Sequence, residues 1–332
     1  MMKIPKTQTA IVISAAGGPE VLMVDEIPVE TPGPQEILIC VTAAGINRHD
    51  IHQRASGKHS DGRAVPGLEV CGTVAATGSD VTRFAQGERV MALVPGGGYG
   101  EYVIAPAALV MPAPEALSDI EAAAIPEAAF TTWWNFFHLM SLQKGQFAMF
   151  HGGTSGVGHI ALQAMAALGY DVIATAGSAR KVAACSEFGA MAAFSYNDPD
   201  LAAKVMDVTN GVGISTLLDV SAGAHLAQDL ALMAPDGTIA HLSGGGGATL
   251  DLPLRDLMAK RIRITGSLLR PLPMDRKTQV ANTIRREVWP LLGTSVRPSI
   301  AKVFELNDAA AAHAMMEAGD HIGKIILSVA HD

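Results

Sequence analysis

The stretch FAMFHGGTSGVGHIALQAMAALGY, residues 147–170, constrains the fold of this chain more than any other. An apolar strand pattern runs into a glycine-rich turn, and the turn runs into an apolar helix. Gly153 permits a tight turn, the position of Ser155 must be small so that backbone can approach an anion, and Gly158 lets the helix pack on its strand. Amides of the turn and helix start (Thr154, Gly156 and Val157 lie here) face that anion, with the helix dipole behind them. Ser155 stands where the dinucleotide fingerprint has its second glycine, so the strict pattern is broken. A plain strand–helix turn is the competing reading.

The surroundings favour the dinucleotide. From about residue 128 to 271, short apolar strands (DVIATAG, MAAFSY, VGISTLLDVSA, GTIAHLSGG, RIRITGSLL) alternate with helical stretches such as SARKVAACSEFGA. That alternation predicts an α/β domain with a doubly wound parallel sheet. Up to about residue 126 the texture is strands and turns, which predicts a small, mostly β, barrel-like domain. The tail, from about 272, reads as a helix, a turn at Pro298 and a final strand GKIILSV that folds back on the first domain. The expected domains are therefore 1–127 with 272–332, and 128–271; at 332 residues two cores are expected.

An NAD site places Asp or Glu about 20 residues beyond the glycines, to accept from the ribose hydroxyls. This chain has Ala176-Gly177-Ser178-Ala179-Arg180-Lys181 instead. A carboxylate there would repel a 2′-phosphate, whereas Ser178 can donate to one and Lys181 or Arg180 can neutralise it. The cofactor expected is NADP(H); a solvated first helical turn is the alternative.

A net charge of −8 argues against nucleic-acid and anionic-membrane partners. No apolar run approaches the roughly 18 residues of a membrane span, and MMKIPKTQTAIVISAAGG is not a secretory signal. Cys40, Cys71 and Cys185 are odd in number and far apart, which fits a reduced, cytoplasmic protein without disulfides.

Several further motifs carry a resemblance: Asn47-Arg48 with Asp50 and Gln53-Arg54, PGLEVCG, VPGGGYGEY, IPEA with Thr131, HGGTSGVG, TAGSARK, GSLLRP and HIGKIIL. Together they span nearly the whole chain, which resembles the medium-chain dehydrogenase/reductase superfamily and, within it, the quinone oxidoreductase (zeta-crystallin-like) branch. The resemblance implies a GroES-like catalytic domain beside a Rossmann domain that binds NADPH. Zinc alcohol dehydrogenases of the superfamily have a cysteine at the position of Asn47 and Gly-His-Glu where this chain has Gly67-Leu68-Glu69. Asn is a poor zinc ligand and Leu is none, and the four-cysteine lobe is missing, so no metal is expected. His49 and His52 could share a helical face and bind one, but exposed histidines are the simpler reading.

By resemblance, Asn47 hydrogen-bonds the nicotinamide ribose or the substrate oxygen, and Thr131 lies against the nicotinamide. A turn residue and a core threonine are the alternatives. Asp50 joins the catalytic set or simply caps its helix. Tyr196 is expected near the 2′-phosphate. Ser243, Gly244 and Gly245 follow the fifth strand, where a flexible turn is the alternative. Ser267, Leu268 and Leu269 match a segment whose backbone holds the carboxamide, and Lys324 reaches the cofactor or only starts a strand. His52, Lys58 and His59 lie in the substrate region, where the tyrosine frequent in this branch is missing. Trp133 and Trp134 cannot both supply its aromatic surface, because adjacent helical residues point apart.

The activity implied is NADPH-dependent, metal-free hydride transfer to a small-molecule quinone. Reduction of an enone or enal double bond is the alternative, and a low-turnover NADPH-binding structural or regulatory protein is a third. Relatives pair through the last strand of the nucleotide domain, near 261–267 here, which implies a homodimer.

Overall fold

The structure, a computed structural model, describes residues 3–57, 64–221, 223, 225–242 and 249–331. The chain divides into two compact units, Met1–Glu127 with Lys277–Asp332, and Ala128–Arg276.

The first unit opens with β1 (Thr7–Ile13) antiparallel to β2 (Leu22–Pro28). β3 (Glu36–Gly45) is buried almost throughout, so it reads as a continuous apolar run rather than an alternating one. Helix α1 (Arg48–Ser56) follows directly, with Asn47 at its N-cap and Gly57 closing it in the left-handed conformation. Then come β4 (Glu69–Thr77), β5 (Arg89–Leu93), β6 (Tyr102–Pro106), β7 (Val110–Pro112) and the short α2 (Asp119–Ala122).

Helix α3 (Pro126–Trp133) begins with proline, which lacks only an N–H that a helix start cannot use, and it runs on into a π turn over Trp134–Leu139. Trp133 is fully buried, while Trp134 is half-buried and stacks on His138. The second unit then alternates: β8 (Phe147–His151), α4 (Gly158–Ala167), β9 (Asp171–Ala176), α5 (Ala179–Glu187), β10 (Ala192–Ser195), α6 (Leu201–Val208), β11 (Ile214–Asp219), α7 (Leu226–Leu232), β12 (Met233–His241), α8 (Leu254–Lys260) and β13 (Arg263–Gly266). All six strands are parallel, in the order β10-β9-β8-β11-β12-β13. One apolar cluster, including Phe136, Phe150 and Leu162, and another, including Met149, Ile173 and Leu230, make up its core. The strand order reverses between β8 and β11, the place where such sheets hold ligands outside their carboxyl ends.

After α9 (Met274–Glu287) the chain adds β14 (Ile300–Glu305), α10 (Ala309–Ala318) and β15 (Lys324–Ser328) to the first unit. Its main sheet runs β14-β15-β3-β4-β5-β7, with β6 also paired to β3. The tail is thus richer than a helix, a turn and one strand. β14 is an edge strand with no buried residue, so its sequence carries no apolar alternation to reveal it.

Candidate active site

In the second unit, the amides of Gly152 and Gly153 both donate to the carbonyl of Thr175 on β9, at 3.0 Å each, and pin the turn to the sheet. The left-handed residue is Gly152 (φ 78°), one position before the glycine expected to make the turn. Gly153 serves packing instead: a Cβ there would come within 2.8 Å of Ala174 and Cys185. Gly158 has the expected role, since a Cβ would meet the Gly152 carbonyl at 2.5 Å. Ser155 folds back on the helix, its Oγ accepting from the Gly158 amide at 3.0 Å. Thr154 is buried. Among the described residues the amides of Gly156 and Val157 have no partner, and both residues are partly exposed, as an anion site at a helix start requires.

The next strand end forms a corner. β9 stops at Ala176, the amide of Tyr196 donates to the Ala176 carbonyl at 3.3 Å, and the Tyr196 hydroxyl lies so close to Gly177 that any Cβ would overlap it. Ser178 caps α5, accepting from the Lys181 amide at 3.4 Å, which leaves its own hydroxyl hydrogen for another acceptor. Gly177 thus adjoins Tyr196, Ser178 bonds the Lys181 amide, and the sequence AGSARK that follows β9 has no acidic residue.

Behind the turn, His151 at the end of β8 bridges Thr175 Oγ1 (2.6 Å) and Asp229 Oδ1 on α7 (2.8 Å), all buried. Along the last strand, Ser267 donates its amide to the His241 carbonyl at 3.0 Å, while the Leu268 side chain is 69% exposed. Thr131 is buried on α3, its carbonyl accepting from Asn135. Ser243, Gly244, Gly245, Lys58 and His59 lie outside the described residues. His52 is exposed on α1.

In the first unit three expected site residues, Asn47, Asp50 and Lys324, are bonded within the protein. Lys324 is 1% exposed, its ammonium bound to Glu69 Oε1 and, at 2.7 Å, to Asn47 Oδ1. Asn47 Nδ2 donates to the same Glu69 oxygen at 2.9 Å and lies 3.4 Å from the Gly45 carbonyl. The other Glu69 oxygen accepts from the Glu127 amide at 2.9 Å. A fully buried carboxylate needs this compensation, and the Asn47 amide and the Lys324 ammonium both supply it to Glu69. Asp50 is likewise enclosed. It accepts from the Asn47 amide (2.8 Å), the Gly67 amide (3.2 Å) and the Tyr99 hydroxyl (3.0 Å), so it caps α1 and fixes the Gly67 turn. Burial pushes its carboxyl up to about 6 despite those bonds. Beyond Tyr99 the chain continues through His313 to Arg54 and on to Glu317 (2.5 Å), and burial, followed by the Arg54 charge, pushes His313 down to about 4.

Sequence reasoning missed Glu69 as a partner, the Tyr99–His313–Arg54 chain and the His151–Asp229 pair. The available signal was a charge opening an apolar strand, as in EVCGTVA and KIILS. Among the described residues no three His, Cys, Asp or Glu side chains converge as a metal-binding group. Nor is any helix among them long and apolar enough to cross a membrane.

Comparison with known proteins agrees with this architecture. Residues 33–115 match the alcohol dehydrogenase GroES-like domain family, and residues 156–285 match the zinc-binding dehydrogenase family. A quinone oxidoreductase of Sus scrofa is 30% identical over 331 residues, covering 97% of this chain and 98% of that protein. A 2-haloacrylate reductase of a Burkholderia species is 27% identical, covering 96% and 98%. The structure of Escherichia coli quinone oxidoreductase complexed with NADPH superposes with a TM-score of 0.84 at 25% identity, covering 97% and 99%. A GroES-like β unit, a Rossmann unit and end-to-end similarity place this chain in the quinone oxidoreductase-like family of medium-chain dehydrogenases/reductases.

Proposed function

We propose that this chain is an NADPH-dependent reductase that delivers hydride to quinones without a metal. The observation that carries the cofactor assignment is the end of β9, where the Ser178 and Tyr196 hydroxyls and Lys181 stand in place of a carboxylate. Hydroxyl donors and an ammonium suit a 2′-phosphate, which an acidic residue would repel. NADPH supplies the hydride; this chain's part is to hold it, with the Gly156 and Val157 amides toward the pyrophosphate and the Gly177–Tyr196 corner toward the adenosine phosphate. The E. coli relative's complex with NADPH supports the same choice.

Metal independence rests on the donor set. A zinc ion at the position used by alcohol dehydrogenases would face Asn47, Leu68 and a Glu69 already paired with the Lys324 ammonium. Leu offers no ligand, and a buried ammonium repels a dication. Without a Lewis acid, the acceptor must be electrophilic already, as a quinone is.

Reduction of activated double bonds is the second reading, supported by the 2-haloacrylate reductase relative, whose named substrate is such an alkene. A homodimer joined along β13 fits that strand's place at the sheet edge, and three buried free cysteines fit a cytoplasmic setting. The test is NADPH oxidation with a naphthoquinone and, in parallel, with a small alkenal, before and after dialysis against a chelator. A preference for NADPH over NADH in kcat/KM of about tenfold or more, with activity surviving the chelator, is expected. Preference for NADH, or loss of activity with removal of stoichiometric zinc, overturns the proposal.

A further inference from the structure

At the carboxyl edge of the second unit's sheet, Asp219 ends β11 and His241 ends β12, directly opposite one another in register. The Asp219 carboxylate is fully buried and accepts four bonds: the Ser221 amide and hydroxyl, both at 2.5 Å, the Gly223 amide at 2.8 Å, and His241 Nδ1 at 2.9 Å. Burial opposes its charge, but the bonds from His241, Ser221 and Gly223 together outweigh burial and hold the carboxyl well below the usual range. An ionised Asp219 fixes the proton of His241 on Nδ1, so in the neutral ring Nε2 is an oriented acceptor. That Nε2 is buried and, among the described residues, has no partner. The neighbouring strand repeats the pattern: Ser267, whose amide is bonded to the His241 carbonyl, has a buried Oγ that is unpartnered among the described residues. Buried polar atoms are nearly always paired, so two orphans on adjacent strand ends, where parallel sheets hold their ligands, point to a ligand.

The sheet order says which part of it. The glycine turn and the Gly177–Tyr196 corner belong to β8, β9 and β10, one mononucleotide half; β11, β12 and β13 form the other half. In the neutral ring, with Nδ1–H on Asp219, Nε2 accepts and needs a donor. Ribose hydroxyls and a carboxamide N–H are donors, and phosphate oxygens are not. We infer that His241, aimed by Asp219, is a contact residue for the nicotinamide-ribose half of the bound dinucleotide. This rests on the NADPH assignment above.

The test is calorimetric titration of the wild type, His241→Phe and His241→Gln with NADPH and with 2′,5′-ADP, which lacks the nicotinamide half. His241→Phe should weaken NADPH about tenfold and leave 2′,5′-ADP unchanged. His241→Gln, which can return an amide oxygen to the region of Nε2, should recover most of that loss. Unchanged NADPH affinity in His241→Phe overturns the inference, as does equal weakening of both ligands in both variants, which marks a disturbed sheet edge. If the wild type binds neither ligand, the cofactor assignment itself fails. The 3-acetylpyridine analogue has no amide N–H: insensitivity to His241→Phe there assigns the bond to the carboxamide, and retained sensitivity assigns it to a ribose hydroxyl.

Discussion

Replacing Lys324 by Met removes the ammonium at the centre of the Asn47–Glu69 cluster while roughly keeping side-chain length. Glu69 then stays fully buried with, among the described residues, two neutral donors, Asn47 Nδ2 and the Glu127 amide, each at 2.9 Å. Removing one partner of a buried ion pair costs about 3–5 kcal/mol. The two remaining bonds were present beforehand and offset little of that, so Lys324→Met should lose about 3 kcal/mol or more of stability. Glu69→Gln leaves the ammonium with Asn47 Oδ1 and one amide oxygen, and should lose a similar amount. The double variant carries no buried charge and should be more stable than either single variant, within about 1–2 kcal/mol of wild type. Urea unfolding gives the free energies, and hydrogen exchange over β4 and β15 locates the loss in the first unit. A loss below about 1 kcal/mol in Lys324→Met, or additive losses in the double variant, would refute the compensation argument. Weakened NADPH binding with unchanged unfolding would instead assign Lys324 to the cofactor.

Gly177→Ala should push the Tyr196 hydroxyl aside and weaken NADPH binding about tenfold, with little change in Tm; calorimetry and thermal melts check it. Ser178→Asp keeps a side-chain cap on α5 but places a carboxylate in the corner. The NADPH-to-NADH ratio of kcat/KM should fall at least about tenfold, and an unchanged ratio would contradict the corner's role. Gly158→Ala forces a methyl to within 2.5 Å of the Gly152 carbonyl, a backbone atom that cannot swing away. A loss of about 1–3 kcal/mol and weaker NADPH binding should follow. The buried Asp50–His313 chain also predicts a pH signature. With a folded pKa raised to about 6, Asp50 contributes stability that is complete below its unfolded pKa and lost as pH rises through 6. His313, lowered to about 4, acts oppositely: its contribution is present above its unfolded pKa and lost as pH falls toward 4. The two oppose each other between pH 4 and 6.5 in the wild type. Asp50→Asn exposes the His313 effect alone and should lose about 3 kcal/mol of stability, relative to wild type, on acidification across that window. Parallel urea midpoints for the two proteins would show that the pair is not coupled to folding in this way.

How far the fold and site are legible from residues depends on how local each signal is. The second unit is legible because every strand and the helix after it are written within a few tens of residues, and the missing acid beyond β9 is local in the same sense. Local patterns are coarse by one residue, however: the left-handed turn position falls on Gly152, and Gly153 is needed for packing against Ala174 and Cys185. The Asn47–Glu69–Lys324 cluster is illegible for the opposite reason. Glu69 and Lys324 are 255 positions apart, and only the β15-β3-β4 order brings them together. Nothing local distinguishes a lysine that starts a strand at the surface from one enclosed beside a carboxylate. Polar residues ending buried parallel strands fall between these cases. His151, Asp219 and His241 can each be picked out in the sequence as a polar full stop on an apolar run, at the edge where ligands gather. Pattern alone gives the three equal standing. Partners separate them: His151 is held by Thr175 and Asp229, Asp219 is saturated by four donors, and of the three His241 alone, its other ring nitrogen paired with Asp219, keeps a polar side-chain atom that finds no partner among the described residues. A strand-end residue whose hydrogen bonds close within the protein serves the scaffold, and one whose bonds stay open is the residue to test against the cofactor.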